Sequence, residues 1–385
     1  MQTVLVPLER GAGETRVAST PEVVKRLQGR GLQFRVERGA GEPAGFSDQS
    51  YAEAGAELVP CGDAEVWRTS QVLLTLGTLT EQSPLLQPHS LVIGQLAPHG
   101  NLELHQRLEQ QGLSAISLEL LPRISRAQAM DVLSSQANIA GYKAVLLAAT
   151  SLDRFMPMLM TAAGTVQPAR VLVIGAGVAG LQAVATARRL GAVVSVSDVR
   201  AAAREQVESL GARFIPPPEQ GKPGEQGGYA KEATAAFLEA QRQGLASHLG
   251  DIDVVICTAQ VPGKPAPLLL TSELTGLLHA GAVVVDLAAA QGGNCELSRP
   301  GETISHNGVS VIGASNLPAS VPHHASSLYA RNLQALLEAL MDKEANLCLD
   351  PEDALLAPSL ISLRGELRRL DLIPDRLNNQ KELTP

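Results

Sequence analysis

The chain has 385 residues with a formal net charge of −8, and 45% of the residues are hydrophobic. This length predicts two domains rather than one core, and the absence of any lysine- and arginine-rich run argues against a nucleic-acid partner. The four cysteines never form a CxxC pair, which indicates free thiols rather than a zinc site. We also expect no signal peptide and no membrane helix, since no apolar run reaches about 20 residues.

Strand-like and helix-like segments alternate in the first half of the chain, which predicts a parallel sheet. The predicted strands there are 3–9, 33–39, 57–61, 72–76, 91–96 and 114–120. A helix free of proline follows over 125–149. A second alternating series then has strands over 170–174, 193–197, 213–215, 253–258, 282–287 and 309–313. The last helix is predicted over 317–343, and beyond about residue 345 the pattern weakens, so we expect a loosely ordered tail.

A glycine-rich loop follows the apolar strand at 170–174 and opens a helix. It reads Gly175-Ala176-Gly177-Val178-Ala179-Gly180. In this pattern the first glycine permits a tight turn, the second lets a pyrophosphate approach the backbone, and the third lets the helix pack closely on the strand. The helix N-terminus adds N–H donors and a positive dipole end. The loop predicts a dinucleotide site in a Rossmann-like domain.

The fold class is therefore α/β, with two doubly wound Rossmann-like domains, a cleft between them, and long helices that join them. The predicted boundaries are 1–125 for the first domain, with 330–385 returning to pack on it. Residues 126–150 form a linking helix, and 151–329 form the nucleotide-binding domain.

Asp198 follows the next strand, close to the spacing of about 20 residues at which an acid binds the adenosine ribose. A carboxylate there accepts hydrogen bonds from ribose hydroxyls and repels a 2′-phosphate, which favours NAD(H) over NADP(H). Arg200, two residues further on, leaves NADP(H) open as the alternative cofactor, because a nearby arginine can hold a 2′-phosphate. Val199 lies between them and is included in the predicted site.

Loops at the carboxyl ends of later strands line a nucleotide crevice in such sheets. This places Thr258, Ala259 and Gln260 on the nicotinamide side and adds Asn316. The stretch 216–228 is dense in proline, glycine and charge and predicts an exposed loop. It leads to Tyr229, which is either a lid contact or part of a surface insertion.

A polar segment follows the strand at 114–120. Arg123 lies in a turn, and Gln128, Asp131 and Ser134 recur three or four residues apart, which predicts one polar helix face. Such a face lines a cleft or faces solvent, and the pattern does not decide between them. In the first loop Arg16 either holds an anionic group or lies on the surface.

Several stretches resemble the NAD(H)-binding component of proton-translocating transhydrogenase. They are ETRVASTPEVV, PRISRAQAMDVLSSQANIAGYKAV, TAAGTVQPARVLVIGAGVAGLQAVATARRLGA, SDVRAAAREQVESLGARF, GGYAKE and VPGKPAP. The resemblance covers most of residues 1–330. It implies a Re/Si-specific NAD(P)+ transhydrogenase activity, NAD(H) as the cofactor, a homodimer, an NADP(H)-binding partner subunit and a membrane subunit that translocates protons. It also implies a cytoplasmic, peripheral location on the inner or plasma membrane through these partners.

The resemblance assigns roles to matching positions. Arg123, Gln128, Asp131 and Ser134 would orient the nicotinamide and its ribose, Tyr229 would close over NAD, and Asp198 would bind the adenosine ribose.

Alanine dehydrogenases share this fold and the first-loop arginine, and they use a lysine and a histidine in the first domain. Here Thr75 and Gln95 stand where those residues are expected, with His99 close by. Oxidation of an amine needs a general base, whereas hydride transfer between two nicotinamides moves no proton at the reacting carbons. An NAD-dependent alanine or amino-acid dehydrogenase that uses His99 remains the alternative, as does a non-catalytic NAD-binding module.

Overall fold

The structure is a computed structural model that describes residues 2–79, 81–218, 234–261 and 263–373, together with the backbone of 225–226 and 229–230. The chain forms two compact units. Unit 1 takes residues 1–136 and 319–385, and unit 2 takes residues 137–318.

The strands of the described residues are β1 (Thr3–Val6), β2 (Gln33–Glu37), β3 (Glu57–Val59), β4 (Val72–Leu74), β5 (Leu91–Gly94), β6 (Ser114–Ser117), β7 (Leu159–Thr161), β8 (Gly164–Val166), β9 (Arg170–Ile174), β10 (Val193–Ser197), β11 (Arg213–Ile215), β12 (Glu225–Gln226), β13 (Tyr229–Ala230), β14 (Val254–Cys257), β15 (Val283–Asp286), β16 (Thr303–His306), β17 (Val309–Gly313), β18 (Leu360–Leu363) and β19 (Glu366–Leu367).

The α-helices of the same residues are α1 (Pro21–Gln28), α2 (Asp48–Glu53), α3 (Ala64–Thr69), α4 (Leu102–Gln110), α5 (Val132–Ser151), α6 (Val178–Arg189), α7 (Ala203–Ser209), α8 (Ala235–Leu249), α9 (Ser272–Thr275) and α10 (Pro322–Leu340). None of them has an apolar stretch long enough to span a bilayer.

Unit 1 is built on an eight-stranded sheet in the order β19-β18-β6-β5-β4-β1-β2-β3. Strands β1 to β6 are parallel to one another, so the sheet winds outward in both directions from β1 and β4. Along β1 the buried side chains alternate: Val4 and Val6 pack into one apolar layer and Leu5 into the layer on the opposite face. Both faces are therefore covered, which explains why the strand is apolar throughout.

Unit 2 repeats this plan with the order β11-β10-β9-β14-β15-β17-β16. All neighbours are parallel except β16, which runs antiparallel to β17. Val171 and Val173 of β9 pack into one layer, and Leu172 and Ile174 into the other. Because the strand order reverses between β9 and β14, the crevice for a ligand is expected at their carboxyl ends. The predicted α/β fold with two doubly wound Rossmann-like domains is confirmed.

Residues 346–373, the described part of the segment after residue 345, differ from the expected loose tail. Strand β18 pairs antiparallel with β6 and is followed by β19, so this segment extends the sheet of unit 1. Leu360 and Ile361 are fully buried there. Leu360 pairs with Ile116, which is distant in the chain, so the local sequence gives no signal for this pairing.

Candidate functional site

The predicted glycine loop connects β9 to α6 in unit 2, at the point where the strand order reverses. Gly175 has φ +100°, which favours glycine, and a Cβ on Gly180 would lie 1.9 Å from the carbonyl oxygen of Gly175. Around Gly177 the space that a Cβ would take is open. The first N–H groups of α6, from Val178 onward, have no intrahelical acceptor. The cradle therefore fits the phosphates of a dinucleotide.

Thr258, directly after β14, closes the loop from the neighbouring strand. Its hydroxyl group lies 3.1 Å from the carbonyl oxygen of Ile174 and 3.0 Å from that of Gly175, and it donates to them. A Cβ on Gly175 would come within 2.7 Å of the same hydroxyl oxygen. Thr258 thus fixes the shape of the glycine loop.

Asp198 is buried at the carboxyl end of β10, and protein donors surround its carboxylate. Oδ2 accepts from the backbone N–H of Ala176 at 2.6 Å and from Nη2 of Arg200 at 3.0 Å. Oδ1 accepts from the backbone N–H of Arg200 at 2.8 Å and from its Nε at 3.0 Å. The carboxylate therefore holds the glycine loop and is paired with Arg200. Val199, between the two, is partly buried.

A cavity of about 160 Å³ in unit 2 brings together four predicted residues, Ala179, Thr258, Gln260 and Asn316. Its other walls are Ala137, Ala140, Leu287, Ala314, Leu317 and Pro318. Asn316 has φ +42°, a left-handed conformation that asparagine tolerates better than most residues. Nε2 of Gln260 donates to the carbonyl oxygen of Leu287 at 3.1 Å. A mostly apolar cavity with a few fixed polar groups is typical of a small-molecule site.

The polar segment of unit 1 differs from the predicted continuous helix. Residues Ser125–Met130 form a 3-10 helix, and α5 begins only at Val132. Asp131 precedes α5 as its N-cap: its carboxylate accepts from the N–H of Ser134 at 2.9 Å and from its hydroxyl at 2.6 Å. Aspartate is a preferred N-cap, so the cap overrides the helical preference of the preceding residues. The prediction that Gln128 shares one polar helix face with Asp131 and Ser134 was wrong, because Gln128 lies exposed in the 3-10 helix. Arg123 lies exposed before that helix.

Arg16 of unit 1 is not the surface residue that one of the two predicted alternatives made it. It is buried and forms a two-pronged ion pair with Glu14, at 2.8 and 2.7 Å. Its Nη1 donates to Oε1 of Gln136 at 2.8 Å. These contacts bind the first loop to the start of α5.

Thr75 follows β4 and lies next to a carboxyl group. Its hydroxyl donates to Oε1 of Glu9 at 3.0 Å, and the N–H of Leu76 donates to the same oxygen at 2.6 Å. Burial raises the pKa of Glu9 from 4.5 to about 7, and the nearby Glu14 adds to the effect. Glu9 therefore exchanges a proton near neutral pH inside unit 1.

Tyr229 belongs to β13, which pairs with β12 in a short antiparallel ribbon. Its side chain lies outside the described residues, as do residues 219–224 and 227–228 of the loop predicted over 216–228. Within the described stretches of the chain no three histidine, cysteine, aspartate or glutamate side chains lie close enough to hold a metal ion.

One residue at the site was missed from the sequence. Asn294, in the segment after β15, bonds both backbone groups of Ala259. The local sequence QGGN gives no signal for this contact, because its partner lies 35 residues away.

The chain matches known families over almost its whole length. The family described as "Alanine dehydrogenase/PNT, N-terminal domain" matches residues 5–140, and "Alanine dehydrogenase/PNT, C-terminal domain" matches residues 144–369. An NAD(P) transhydrogenase subunit alpha protein from Rhodospirillum rubrum is 43% identical over 372 residues, which cover 94% of this chain and 97% of that protein.

Solved structures agree. The crystal structure of transhydrogenase from Sinorhizobium meliloti superposes with a TM-score of 0.86 at 42% identity, covering 95% of this chain and all of that one. An L-alanine dehydrogenase structure superposes with a TM-score of 0.79 at 26% identity, covering 97% and 99%. The chain belongs to the alanine dehydrogenase/PNT family, among the NAD(P) transhydrogenase alpha subunits.

Proposed function

We propose that this chain is the NAD(H)-binding subunit of a proton-translocating NAD(P)+ transhydrogenase. The observation that carries the proposal is the glycine loop of unit 2, closed by Thr258 and held by Asp198, in a chain similar to transhydrogenase alpha subunits along its length. In this assignment Gly175–Gly180 binds the pyrophosphate, and the cavity between Ala179 and Asn316 takes the nicotinamide ring.

Asp198 is the proposed acceptor for the adenosine ribose hydroxyls. A carboxylate offers about four acceptor positions, and Ala176 and Arg200 already take four hydrogen bonds. Ribose binding therefore requires the guanidinium group of Arg200 to give up at least one bond. The carboxylate would still repel a 2′-phosphate, which favours NAD(H) over NADP(H).

Arg123, Gln128, Asp131 and Ser134 are the proposed orienting residues for the nicotinamide and its ribose. The reduced ring supplies the hydride when NADH is bound, so the protein contributes position and exclusion of water rather than proton transfer. The cap bonds between Asp131 and Ser134 fix both side chains at the first turn of α5, which suits residues that must hold a ligand in one geometry. Tyr229 would close over the bound NAD.

The related activity of L-alanine dehydrogenases has weaker support in this chain. Thr75 stands where a lysine is expected for that chemistry. Its hydroxyl donates a hydrogen bond to Glu9, and the side chain has no amine that could act as a general base. The only lysine before Lys143 is Lys25, which is exposed on α1. Alanine-dependent reduction of NAD would favour this second activity.

The proposal includes partners. An NADP(H)-binding subunit would accept the hydride and a membrane subunit would translocate protons, which would place this chain on the cytoplasmic face of the membrane. A second copy of the chain is the third proposed partner. The β7–β8 hairpin and the segment before it expose Phe155, Met158 and Met160, the last at 72%. An apolar group of this kind is unusual on a monomer, and we assign it to the homodimer contact.

The direct test mixes the purified chain with the NADP(H)-binding subunit of a related transhydrogenase and follows hydride transfer from NADH. Transfer that needs both proteins is the expected result. Tight NADH binding without transfer would refute the catalytic role, and an alanine assay would then decide between a dehydrogenase and a binding module. Met160→Asp with Phe155→Asp should yield monomers by analytical ultracentrifugation, and dimers that persist would exclude the hairpin as the contact.

A further inference from the structure

We propose that Asn294 is a positioning residue for the nicotinamide end of the cofactor. This inference rests on the proposed function, because it concerns the site assigned to NAD(H) in unit 2. Asn294 lies after β15 and its side chain is completely buried. It does not line the cavity itself, and it acts through the loop that follows β14.

The side-chain amide of Asn294 bonds both backbone groups of Ala259, as a neighbouring strand would. Its Oδ1 accepts from the N–H of Ala259 at 3.0 Å, and its Nδ2 donates to the carbonyl oxygen of Ala259 at 2.8 Å. The same Nδ2 donates to the carbonyl oxygen of Pro267 at 2.9 Å. One amide thus holds both ends of the loop between Thr258 and Leu269, and three of its hydrogen-bonding positions are used.

The backbone of Asn294 makes two further hydrogen bonds at the end of the same loop. Its carbonyl oxygen accepts from the N–H groups of Leu269 and Leu270, both at 2.9 Å. Asp286, at the end of β15, accepts from the N–H of Cys295 at 2.9 Å and so fixes the segment that carries Asn294. The segment that carries this side chain is therefore anchored to the sheet through Asp286 as well as to the end of the loop.

The loop so held forms one wall of the cavity. Thr258 and Gln260, on either side of Ala259, both line it. Because both backbone groups of Ala259 are bonded to Asn294, the two adjoining peptide planes cannot rotate independently. The orientation of Gln260, which lines the cavity, depends on this restraint. Loss of the restraint should affect the nicotinamide end of the ligand and leave the adenosine end, at Asp198, unaffected.

The test compares NADH with ADP-ribose, which lacks the nicotinamide, in fluorescence and calorimetric titrations of the full chain. Asn294→Ala should weaken NADH about tenfold, as expected when buried polar groups lose their partners, and should leave ADP-ribose within about twofold. Leu249→Ala is the control: it opens a cavity in the core of unit 2 and lowers stability, and should leave both affinities unchanged. Equal weakening of NADH and ADP-ribose by Asn294→Ala would overturn the inference.

Asn294→Asp provides a second readout that a general loss of stability would not give. At high pH the new carboxylate would face two carbonyl oxygens without a proton to donate, and protonation would restore one donor. The NADH affinity of this variant should therefore recover as the pH falls, whereas Asn294→Ala should show no recovery. Identical pH profiles in the two variants would contradict the role. If the unaltered chain binds neither ligand, the proposed function itself fails, and that result is distinct from the others.

Discussion

Helices α5 and α6 meet in unit 2 at a contact that permits only glycine, and substitution there should impair the nucleotide loop. A Cβ on Gly141 would lie 2.0 Å from the carbonyl oxygen of Ala179, 2.8 Å from its carbonyl carbon and 3.0 Å from its Cα. All three atoms are backbone of the first turn of α6, so no side chain can move aside. Relief of the clash requires the two helices to separate by about 1 Å, since contacts below 3.0 Å are essentially absent for real Cβ atoms.

Two opposing terms decide the size of the effect of Gly141→Ala. Alanine gains about 1 kcal/mol of helix propensity over glycine, and overpacking a rigid contact costs about 1–3 kcal/mol or more. Because the obstacle is backbone we expect the upper part of that range, and a net loss of about 2 kcal/mol. The midpoint of thermal unfolding should then fall by about 4–8 °C for a unit of this size. The affinity for NADH should fall about tenfold, because the moved turn carries the proposed phosphate donors.

Gly244→Ala is the matched control. Gly244 lies exposed in the interior of α8, and a Cβ there would meet no atom within 4 Å. The same substitution should therefore raise stability by about 0.5–1 kcal/mol and leave NADH binding unchanged. Thermal unfolding followed by circular dichroism and a fluorescence titration with NADH measure both effects. If Gly141→Ala is as stable as Gly244→Ala and binds NADH normally, the helix contact does not support the loop and the reasoning is refuted.

Three further predictions concern charged side chains. Asp198→Asn should weaken NADH about tenfold through loss of bonds to a charged acceptor, and should narrow the preference over NADPH because Arg200 loses its ion pair. Titrations with both nucleotides check this, and a parallel loss for both would exclude a role in cofactor choice. Asp131→Asn keeps an acceptor for the N–H of Ser134 and should slow hydride transfer at unchanged stability. Asp131→Ala should slow transfer and also lower the free energy of unfolding by about 1 kcal/mol, because the helix cap is lost. Normal transfer in both variants would remove Asp131 from the proposed site. Folding raises the pKa of Glu9 from 4.5 to about 7. Between these two pH values the folded chain holds a proton that the unfolded chain has released. The stability that this group contributes is therefore full below about pH 4.5 and is lost as the pH rises through about 7. Glu9→Gln should therefore be more stable than the unaltered chain at about pH 8 and no more stable near pH 4.5 by urea unfolding, and identical pH dependence in the two proteins would contradict the burial of this carboxyl.

The six parallel strands in the sheet of unit 2 could be predicted from the sequence, whereas the antiparallel strands β7, β8, β12, β13 and β16 were missed. The side-chain networks could not be predicted. The ranges Arg170–Ile174 and Val193–Ser197 are the same in prediction and structure, because apolar runs bounded by charge and glycine carry a strong local signal. The start of α5 was misplaced because the helical preference of residues 125–130 lost to the cap at Asp131. The burial of Arg16 was equally hidden, since its partner Gln136 lies 120 residues away.

The two units show why strand order alone does not specify a nucleotide site. Glu37 is the last residue of β2 in unit 1, and Asp198 directly follows β10 in unit 2. Each of the two parallel sheets therefore has an acid at the end of its second strand in chain order. The carboxylate of Glu37 accepts from the N–H groups of Leu8 and Gly62 at 2.9 Å and from Nε1 of Trp67 at 2.8 Å, and it is 1% exposed. The donors to Glu37 are backbone N–H groups, an indole and the thiol of Cys61, whereas two of the four hydrogen bonds to Asp198 come from the side chain of Arg200. The acid of unit 1 therefore binds groups of its own interior, and we propose that only the acid of unit 2 exchanges a protein donor for a ribose hydroxyl.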